Sequence, residues 1–258
     1  MITAETVAVA FAMFSAIPVP QPTWNEKNMR YVLCAFPLVG VVCAAAYGLW
    51  AAVCGHWPVP EWLQAAGYCL LPVFLTGGIH LDGYADTCDA LASYADAAKK
   101  QEILKDPHCG AFALIRVCSY FVAYFTLCAS LTMDRRTLAC LGVGFVLERA
   151  LSGWAVAALP IAKHTGLVHT FATAADRTTV RRILAVLALL LSAALVLAGG
   201  VAGGAMVAAA LLTLWRYRHV AQTQFGGISG DLAGWFLQKT EIWMLAALVV
   251  CRIVEAGV

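Results

Sequence analysis

Long apolar stretches separated by short polar segments dominate this sequence. A helix of about 20 apolar residues crosses a hydrocarbon core of about 30 Å. Stretches of about that length lie at 31–54, 61–79, 111–132 and 137–159. Residues 183–215 contain no charged residue, but as one straight helix they would reach about 50 Å. We therefore expect two helices there, turning at Gly199–Gly200 and Gly203–Gly204, before a last apolar stretch at 242–254.

This pattern predicts an all-α integral membrane protein with about six transmembrane helices. Residues 7–17 are apolar but too short to span, so they predict a partial or interfacial helix, which Pro18 and Pro20 end. Apolar stretches recur along the whole length, which excludes an enzyme with a single anchor. We expect residues 1–258 to form a single integral membrane domain.

Composition supports the same class. The chain is 62% hydrophobic and 12% charged, with a mean hydropathy of +0.78, whereas about a quarter of the residues of a soluble domain are charged. The net charge is only +2, and the ten cysteines form no C-x-x-C pair. We expect membrane lipid around the protein and no nucleic-acid partner, and a homo-oligomer is compatible with the sequence.

The distribution of Lys and Arg predicts an orientation. Twelve lie in the polar segments at 18–30, 80–110, 160–182 and 216–240. The opposite segments hold only Arg135 and Arg136, with Arg252 near the C-terminal end. Cytoplasmic loops are the ones enriched in Lys and Arg. All four polar segments are therefore expected on one cytoplasmic face.

The segment at 77–91 carries the strongest candidate chemistry. Asp82, Asp86 and Asp89 are spaced i, i+4, i+7, which places them on one face of a helix. Ser93 and Asp96 extend that face if the helix runs on to about residue 100. Like charges on adjacent turns repel, so helix stability does not ask for this arrangement. Mg²⁺ binds carboxylates together with water and phosphate oxygens, and the alternative is a solvated acidic helix face.

Within this motif we assign roles by distance and chemistry. Asp82 and Asp86 are the expected metal ligands, because acids at i and i+4 can share one octahedral ion. Asp89 or His80 is the expected base, because a base needs only to reach the reacting hydroxyl. Gly83 lets the backbone come close to a phosphate.

Two other polar segments are predicted to join this site. One contains Lys105, Asp106 and His108, and the other is a glycine-rich turn with Gly227, Ser229 and Asp231. Cationic side chains and backbone N–H groups of glycine-rich turns bind phosphate, so we expect all six residues to contact substrate. The alternative for the glycine-rich turn is a helix cap.

Three ionisable residues fall inside the predicted spans. They are Arg116, Glu148 and Arg149. Such groups are costly in a membrane and face a cavity or a partner. Pairing within the bundle and direct substrate contact both remain open for them.

Five segments in order along the chain resemble the motifs of the cobalamin synthase family, adenosylcobinamide-GDP ribazoletransferases of bacterial vitamin B12 assembly. They are 14–20, 36–40, 77–91, 105–112 and 226–231, the last followed by Glu241. The central segment matches the pattern His-x-Asp-Gly-x-x-Asp-x-x-Asp. Departures are modest: many relatives carry Gly where Ala90 stands and a cationic residue where His108 stands. The second departure puts phosphate contact at position 108 in doubt.

The resemblance implies a multi-pass protein of the bacterial inner membrane with a cytoplasmic active site. It implies transfer of the adenosylcobinamide phosphate group from adenosylcobinamide-GDP to α-ribazole or its 5′-phosphate, with release of GMP. The residues alone indicate a Mg²⁺-dependent phosphotransferase. Two alternatives are a CDP-alcohol-type phosphotransferase, whose signature has an Ala-Arg that does not follow Gly83 here, and an ion-coupled transporter, for which only Glu148 is placed at mid-membrane.

Overall fold

The computed structural model describes residues 2–162, 173 and 175–257. This part of the chain is helical and contains no sheet, since its β-type contact is an isolated bridge between Ile161 and Ile228. The predicted all-α class is therefore confirmed. The helices are α1 (Ala4–Phe14), α2 (Glu26–Met29), α3 (Val32–Ala35), α4 (Pro37–His56), α5 (Glu61–Thr76), α6 (Ile79–Ala92), α7 (Ala97–Ile103), α8 (Ala111–Ala129), α9 (Arg135–Ala158), α10 (Arg177–Gly199), α11 (Val201–Phe225) and α12 (Gly230–Ala256).

Within the described residues, four helical segments are long and apolar enough to cross a membrane. They are Val32–His56, which joins α3 and α4, then α8, α9 and α10. The bent pair α5 and α6 adds a fifth candidate if it is taken as one span. These helices indicate a multi-pass membrane protein, as predicted. The predicted count of about six is not reached by this criterion, because α11 and α12 carry internal charges such as Arg216 and Lys239.

Helix α12 nevertheless runs from one end of the bundle to the other. Its first turn contains Asp231 and lies beside Gly83 of α6. Near its other end, Arg252 donates hydrogen bonds to Asp134, which caps α9, at 3.3 Å. Arg136 at the start of α9 donates to the carbonyl oxygen of Gly199 at 2.7 Å. Arg136 and Arg252 therefore share one end of the bundle, and the acidic motif lies at the opposite end.

The uncharged stretch at 183–215 is divided between two antiparallel helices, as predicted. The turn is at Gly199–Gly200, where Gly200 has a φ of 57°, a conformation that favours glycine. The prediction that Gly203 and Gly204 also belong to this turn is wrong, because both residues lie inside α11. Gly203 instead lets the two helices pack closely, since a methyl group there would overlap with the carbonyl oxygen of Leu195.

The apolar N-terminal segment forms α1, a single short helix of 11 residues. The prediction of a partial helix is confirmed, although the helix begins at Ala4 and ends at Phe14, before the prolines. The backbone N–H of Ala16 donates to the carbonyl oxygen of Leu75 at 2.9 Å. This bond places the end of α1 beside the end of α5.

The two adjacent charges of α9 pair with each other. Arg149 donates to Glu148 at 2.6 Å, and both side chains are buried. Arg149 also donates to the carbonyl oxygen of Phe145 at 2.9 Å. Of the two interpretations that the sequence left open for these residues, pairing within the bundle is the one observed.

Candidate active site

Two glycines bend the chain at the start of the acidic motif. Gly77 ends α5 with a φ of 65°, and Gly78 precedes α6 with a φ of 78°. Glycine adopts these left-handed conformations without a steric cost. The resulting angle between α5 and α6 is 94°. Helix α6, which carries the three aspartates, therefore turns away from the direction of α5.

Helices α6 and α12 cross in direct backbone contact. A methyl group at Gly83 would lie 2.8 Å from the Cα atom of Asp231, and one at Gly234 would lie 2.7 Å from the carbonyl oxygen of His80. Both distances are shorter than real Cβ contacts, so the crossing needs glycine at each position. It brings His80 and Asp231 together although they are far apart in the sequence.

Carboxylates collect at this crossing. Asp82 is exposed, whereas Asp86, Asp89 and Asp231 are half-buried. Burial, followed by the charges of Asp82, Asp231 and Asp89, raises the pKa of Asp86 to about 6. Within the described residues, Asp82, Asp86 and Asp89 form no ion pair with Lys, Arg or His. The site therefore holds negative charge that a cation would offset.

A pocket of about 310 Å³ opens beside the crossing. Its polar wall is formed by His80, Asp82 and Asp231, and its apolar wall includes Phe14, Leu33 and Phe36. The ring centroids of Phe14 and Phe36 are 4.3 Å apart, and those of Phe36 and His80 are 5.7 Å apart. Together the rings form an aromatic wall suited to a flat ligand.

His80 is the buried polar group of this pocket. Its side chain is 6% exposed, and its Nε2 atom has no hydrogen-bond partner among the described residues. Burial, and then the positive charge of Arg149, lowers the pKa of His80 to about 3. The imidazole is therefore neutral at pH 7, with one nitrogen able to accept a hydrogen bond.

Asp89 faces Gly110, whereas Asp82 lines the pocket that contains His80. A methyl group at Gly110, just before α8, would overlap with the carboxylate oxygens of Asp89. Asp89 does not line the pocket that contains His80 and Asp82. The two expected bases, His80 and Asp89, thus lie on different sides of α6.

The predicted continuous acidic helix to about residue 100 is wrong. Helix α6 ends at Ala92, and Tyr94 has a φ of 53°, which breaks the helix. Asp96 then caps α7, since its side chain accepts the backbone N–H of Lys99 at 2.9 Å. Asp96 belongs to a helix cap and does not extend the face formed by Asp82, Asp86 and Asp89.

Lys105, Asp106 and His108 lie together on an exposed segment between α7 and α8. Asp106 accepts the backbone N–H of His108 at 3.0 Å and contacts its Nδ1 atom at 2.7 Å. These bonds lower the pKa of Asp106. Asp106 and His108 are therefore hydrogen-bonded to each other, and none of the three residues lines the pocket.

The glycine-rich turn at 226–231 has a structural role. Ser229 caps α12 by accepting the backbone N–H of Leu232 at 3.2 Å, and its hydroxyl donates to Asp231 at 3.4 Å. The N–H of Gly227 donates to the carbonyl oxygen of Ala221 at 2.9 Å. The predicted cap is therefore present, and within this turn the pocket-lining residues are Gly230 and Asp231.

The acidic cluster has the donor atoms of a magnesium site but not those of a preformed metal cage. No group of three or more His, Cys, Asp or Glu side chains in the described part of the chain is arranged to hold a metal ion. Mg²⁺ is commonly held by one or two carboxylates, with water and phosphate oxygens completing the shell. The unpaired carboxylates of Asp82 and Asp86 fit that donor set.

The sequence prediction missed three residues of the site. Phe14 and Phe36 line the pocket, and Gly234 makes the close crossing. The signal for the two aromatic residues was their presence in segments 14–20 and 36–40, which carry the family resemblance. Gly234 follows Asp231 by one helical turn, which is the spacing of a small residue on the same face.

Fold and site together define a multi-pass membrane enzyme whose acidic site suits a phosphorylated substrate. The profile of the CobS family, cobalamin-5-phosphate synthase, matches residues 6–249. The chain belongs to this family. The predicted family, its transferase function in cobalamin biosynthesis and its enzyme class are thereby confirmed, and the CDP-alcohol and transporter alternatives are set aside.

Similar proteins carry the same functional name. Adenosylcobinamide-GDP ribazoletransferase of Lachnoclostridium phytofermentans is 39% identical over 244 residues, which cover 95% of this chain and 93% of that protein. The enzyme of the same name from Geobacillus thermodenitrificans is 30% identical, covering 92% and 94%. The one from Clostridium perfringens is 28% identical, also covering 92% and 94%. No solved structure matches the chain.

Proposed function

We propose that the crossing of α6 and α12 is where adenosylcobinamide-GDP is joined to α-ribazole or α-ribazole 5′-phosphate, with release of GMP. The observation that carries this proposal is the meeting of Asp82, Asp86 and Asp231 beside the pocket of His80. These residues come from two segments that are distant in the sequence, 77–91 and 226–231. Both segments resemble motifs of the family. The names of the similar proteins supply the two substrates.

Asp82 and Asp86 would hold Mg²⁺, and Asp231 is placed to contribute a further oxygen directly or through water. When bound, the ion would offset the charge of the diphosphate. The protein's own part is to position the reactants. Asp231 is fixed for this task by the close contact of its backbone with Gly83.

The reaction replaces one bond to phosphorus by another. The ribose hydroxyl oxygen of the ribazole forms a bond to the phosphorus that carries the cobinamide. The bond from that phosphorus to the bridging oxygen breaks, and GMP leaves with this oxygen. The hydroxyl proton goes to His80 or Asp89. His80 faces the pocket and Asp89 faces Gly110, so the side from which the hydroxyl enters decides between them.

The pocket of about 310 Å³ is assigned to the ribazole. Its volume is at the lower end of the range for small-molecule sites, which is about 300–1,000 Å³. The aromatic wall of Phe14 and Phe36 suits a flat base. The corrin ring is far too large for this space. We place it on the other side of Asp82, where an open depression of about 470 Å³ is lined by Gly77, Leu114 and Val117.

The remaining predicted substrate contacts are retained as part of the proposal. Lys105, Asp106 and His108 are exposed on a segment that leads directly to Gly110, the neighbour of Asp89. An exposed segment beside the site can reach the phosphates or the corrinoid side chains of a bound substrate. Gly227 and Ser229 would act through the position that they give to Asp231.

We further propose that α11 and α12 cross the membrane, although their charges exclude them from the four long apolar segments. The contact of Arg252 with Asp134 supports this, since it places the end of α12 beside the start of α9. With these two helices there are six long crossings, and α5 is a shorter one.

The chain then forms one integral domain of the bacterial inner membrane. The distribution of Lys and Arg supports a site on the cytoplasmic side. Part of the basic segment at 160–182 lies outside the described residues.

Purified protein should release GMP only when adenosylcobinamide-GDP, α-ribazole and Mg²⁺ are all present. Asp86→Asn should lower the rate strongly. Asp96→Asn is the matched control, because it removes a nearby negative charge while asparagine still caps α7. If folded wild-type protein releases no GMP, or if both variants lose the same activity, the assignment of this site is wrong.

A further inference from the structure

A second pocket lies away from the acidic site, between α11 and α12. Its volume is about 430 Å³. Arg216 and Lys239 form its charged part, and Leu212, Trp235 and Trp243 are among its apolar lining residues. The predicted chemistry uses none of these residues. The pocket therefore needs its own explanation.

Three cations meet near this pocket without acidic partners. Lys239 lies over the ring of Tyr84, with its Nζ atom 5.5 Å from the ring centroid. Arg116 of α8 and Arg216 of α11 both lie close enough to act electrostatically on Lys239. In the part of the chain that the structure describes, none of the three forms an ion pair with Asp or Glu. Like charges repel, so the cluster favours binding of an anion.

The depth of the cluster indicates which anion. Lys239 and Arg216 each lie nine residues from the site end of their helix, which is about 13 Å along the axis. Trp215, the residue before Arg216, is 68% exposed, and Trp243, about one helical turn beyond Lys239, is 56% exposed. Exposed tryptophan is typical of the boundary between the membrane interior and water. The cations are therefore at the level of lipid headgroups.

The outer rim of the pocket is apolar. Leu212 and Trp243 are both largely exposed at its edge. Arginine binds phosphate through paired N–H groups, and basic pockets between membrane helices bind anionic headgroups. A ligand with a phosphate at one end and a hydrocarbon chain at the other matches both parts of the pocket.

We propose that the pocket formed by Arg216, Lys239, Leu212 and Trp243 binds the phosphate headgroup of an anionic phospholipid, with Arg116 adding to its positive field. This site is separate from the substrate pocket, because Asp231 and Gly234 line that pocket from α12 whereas Trp235 and Lys239 line this one. The proposal assumes that α11 and α12 cross the membrane, and it does not depend on the reaction.

The test is a titration of delipidated protein with phosphatidylglycerol, with bound lipid counted by native mass spectrometry. The double variant with Arg216→Gln and Lys239→Gln lacks two cations of the pocket. It should bind phosphatidylglycerol about 30-fold more weakly, at about 1 kcal/mol for each charge. The matched control is Arg181→Gln with Arg182→Gln, which removes two exposed charges at the start of α10. This control should bind phosphatidylglycerol as the wild type does.

Two further measurements keep the proposal open to refutation. Arg216→Gln alone changes only an exposed side chain and should fold, with a loss in affinity of about fivefold. Phosphatidylcholine should bind the wild type and all variants equally. Unchanged phosphatidylglycerol binding by the double variant would overturn the proposal. Displacement of the lipid by inorganic phosphate would also overturn it, since the pocket would then be a site for soluble phosphate.

Discussion

Replacing Gly83 by alanine tests whether the close crossing of α6 and α12 sets up the active site. The added methyl group would lie 2.8 Å from both the Cα atom and the carbonyl oxygen of Asp231. Ordinary van der Waals contact begins at 3.4 Å. The two helices must therefore separate by about 0.6–1 Å, because the neighbouring atoms belong to a helix backbone and cannot rotate away.

The expected effect on rate is larger than the effect on stability. Overpacking costs about 1–3 kcal/mol, and alanine recovers up to about 1 kcal/mol of that through its higher helix propensity. The separation moves Asp231 relative to Asp82 and Asp86. A displacement of about 1 Å at reacting groups can cost about 100-fold in rate. The variant should therefore fold and insert while losing about 100-fold in GMP release.

The assay is GMP release by purified protein at saturating substrates, with thermal unfolding measured on the same samples. Gly204→Ala in α11 is the control, because nothing lies within 4 Å of its added methyl group. It should keep wild-type activity and be slightly more stable. A Gly83→Ala enzyme as active as this control would refute the idea that backbone contact positions the carboxylates.

Four other outcomes are expected. Asp82→Asn and Asp86→Asn should raise the Mg²⁺ concentration needed for activity, whereas His80→Ala or Asp89→Asn should lower turnover at saturating Mg²⁺; an unchanged Mg²⁺ dependence in all four would make the acids a solvated helix face. Asp231→Ala should insert normally and lose turnover, and full turnover would leave the glycine-rich turn as a cap only. Arg149→Leu should lower the free energy of unfolding by about 3–5 kcal/mol by leaving Glu148 buried without its cationic partner, and a change as small as that of Arg181→Leu would contradict this. A tag inserted near Ala97 should be accessible from the cytoplasm, and a periplasmic signal there would reverse the proposed orientation.

Much of the fold was predictable because apolar length is a local property of the sequence. The stretch at 137–159 became α9, and the turn at Gly199–Gly200 followed from the length of an uncharged segment. The break after Ala92 was not predicted, because Ser93 and Asp96 fit the helical spacing of the acidic motif. Asp96 caps the next helix instead, and helical spacing alone does not distinguish these two states.

The candidate site was predictable in its chemistry but only partly in its geometry. Residue type and spacing were enough to recognise Asp82, Asp86 and Asp89, and also the second segment with Asp231. The pocket was not, because Phe14 at the end of α1 and Phe36 between α3 and α4 reach it only through tertiary ring contacts with each other and with His80. The unpaired cations around Lys239 were missed for the same reason, since they come from three different helices.

The polar contacts of Arg149 bear on how the chain is made. Within the described residues, the hydrogen-bond partners of Arg149 are Glu148, Phe145 and the sulfur of Cys43. Two of these lie on α9 itself, and the third lies on α4, which is synthesised earlier. These three partners have all been synthesised by the time α9 leaves the ribosome. The charge of Arg149 is therefore offset by Glu148 before Glu241 of α12, which also acts electrostatically on this pair, has been synthesised.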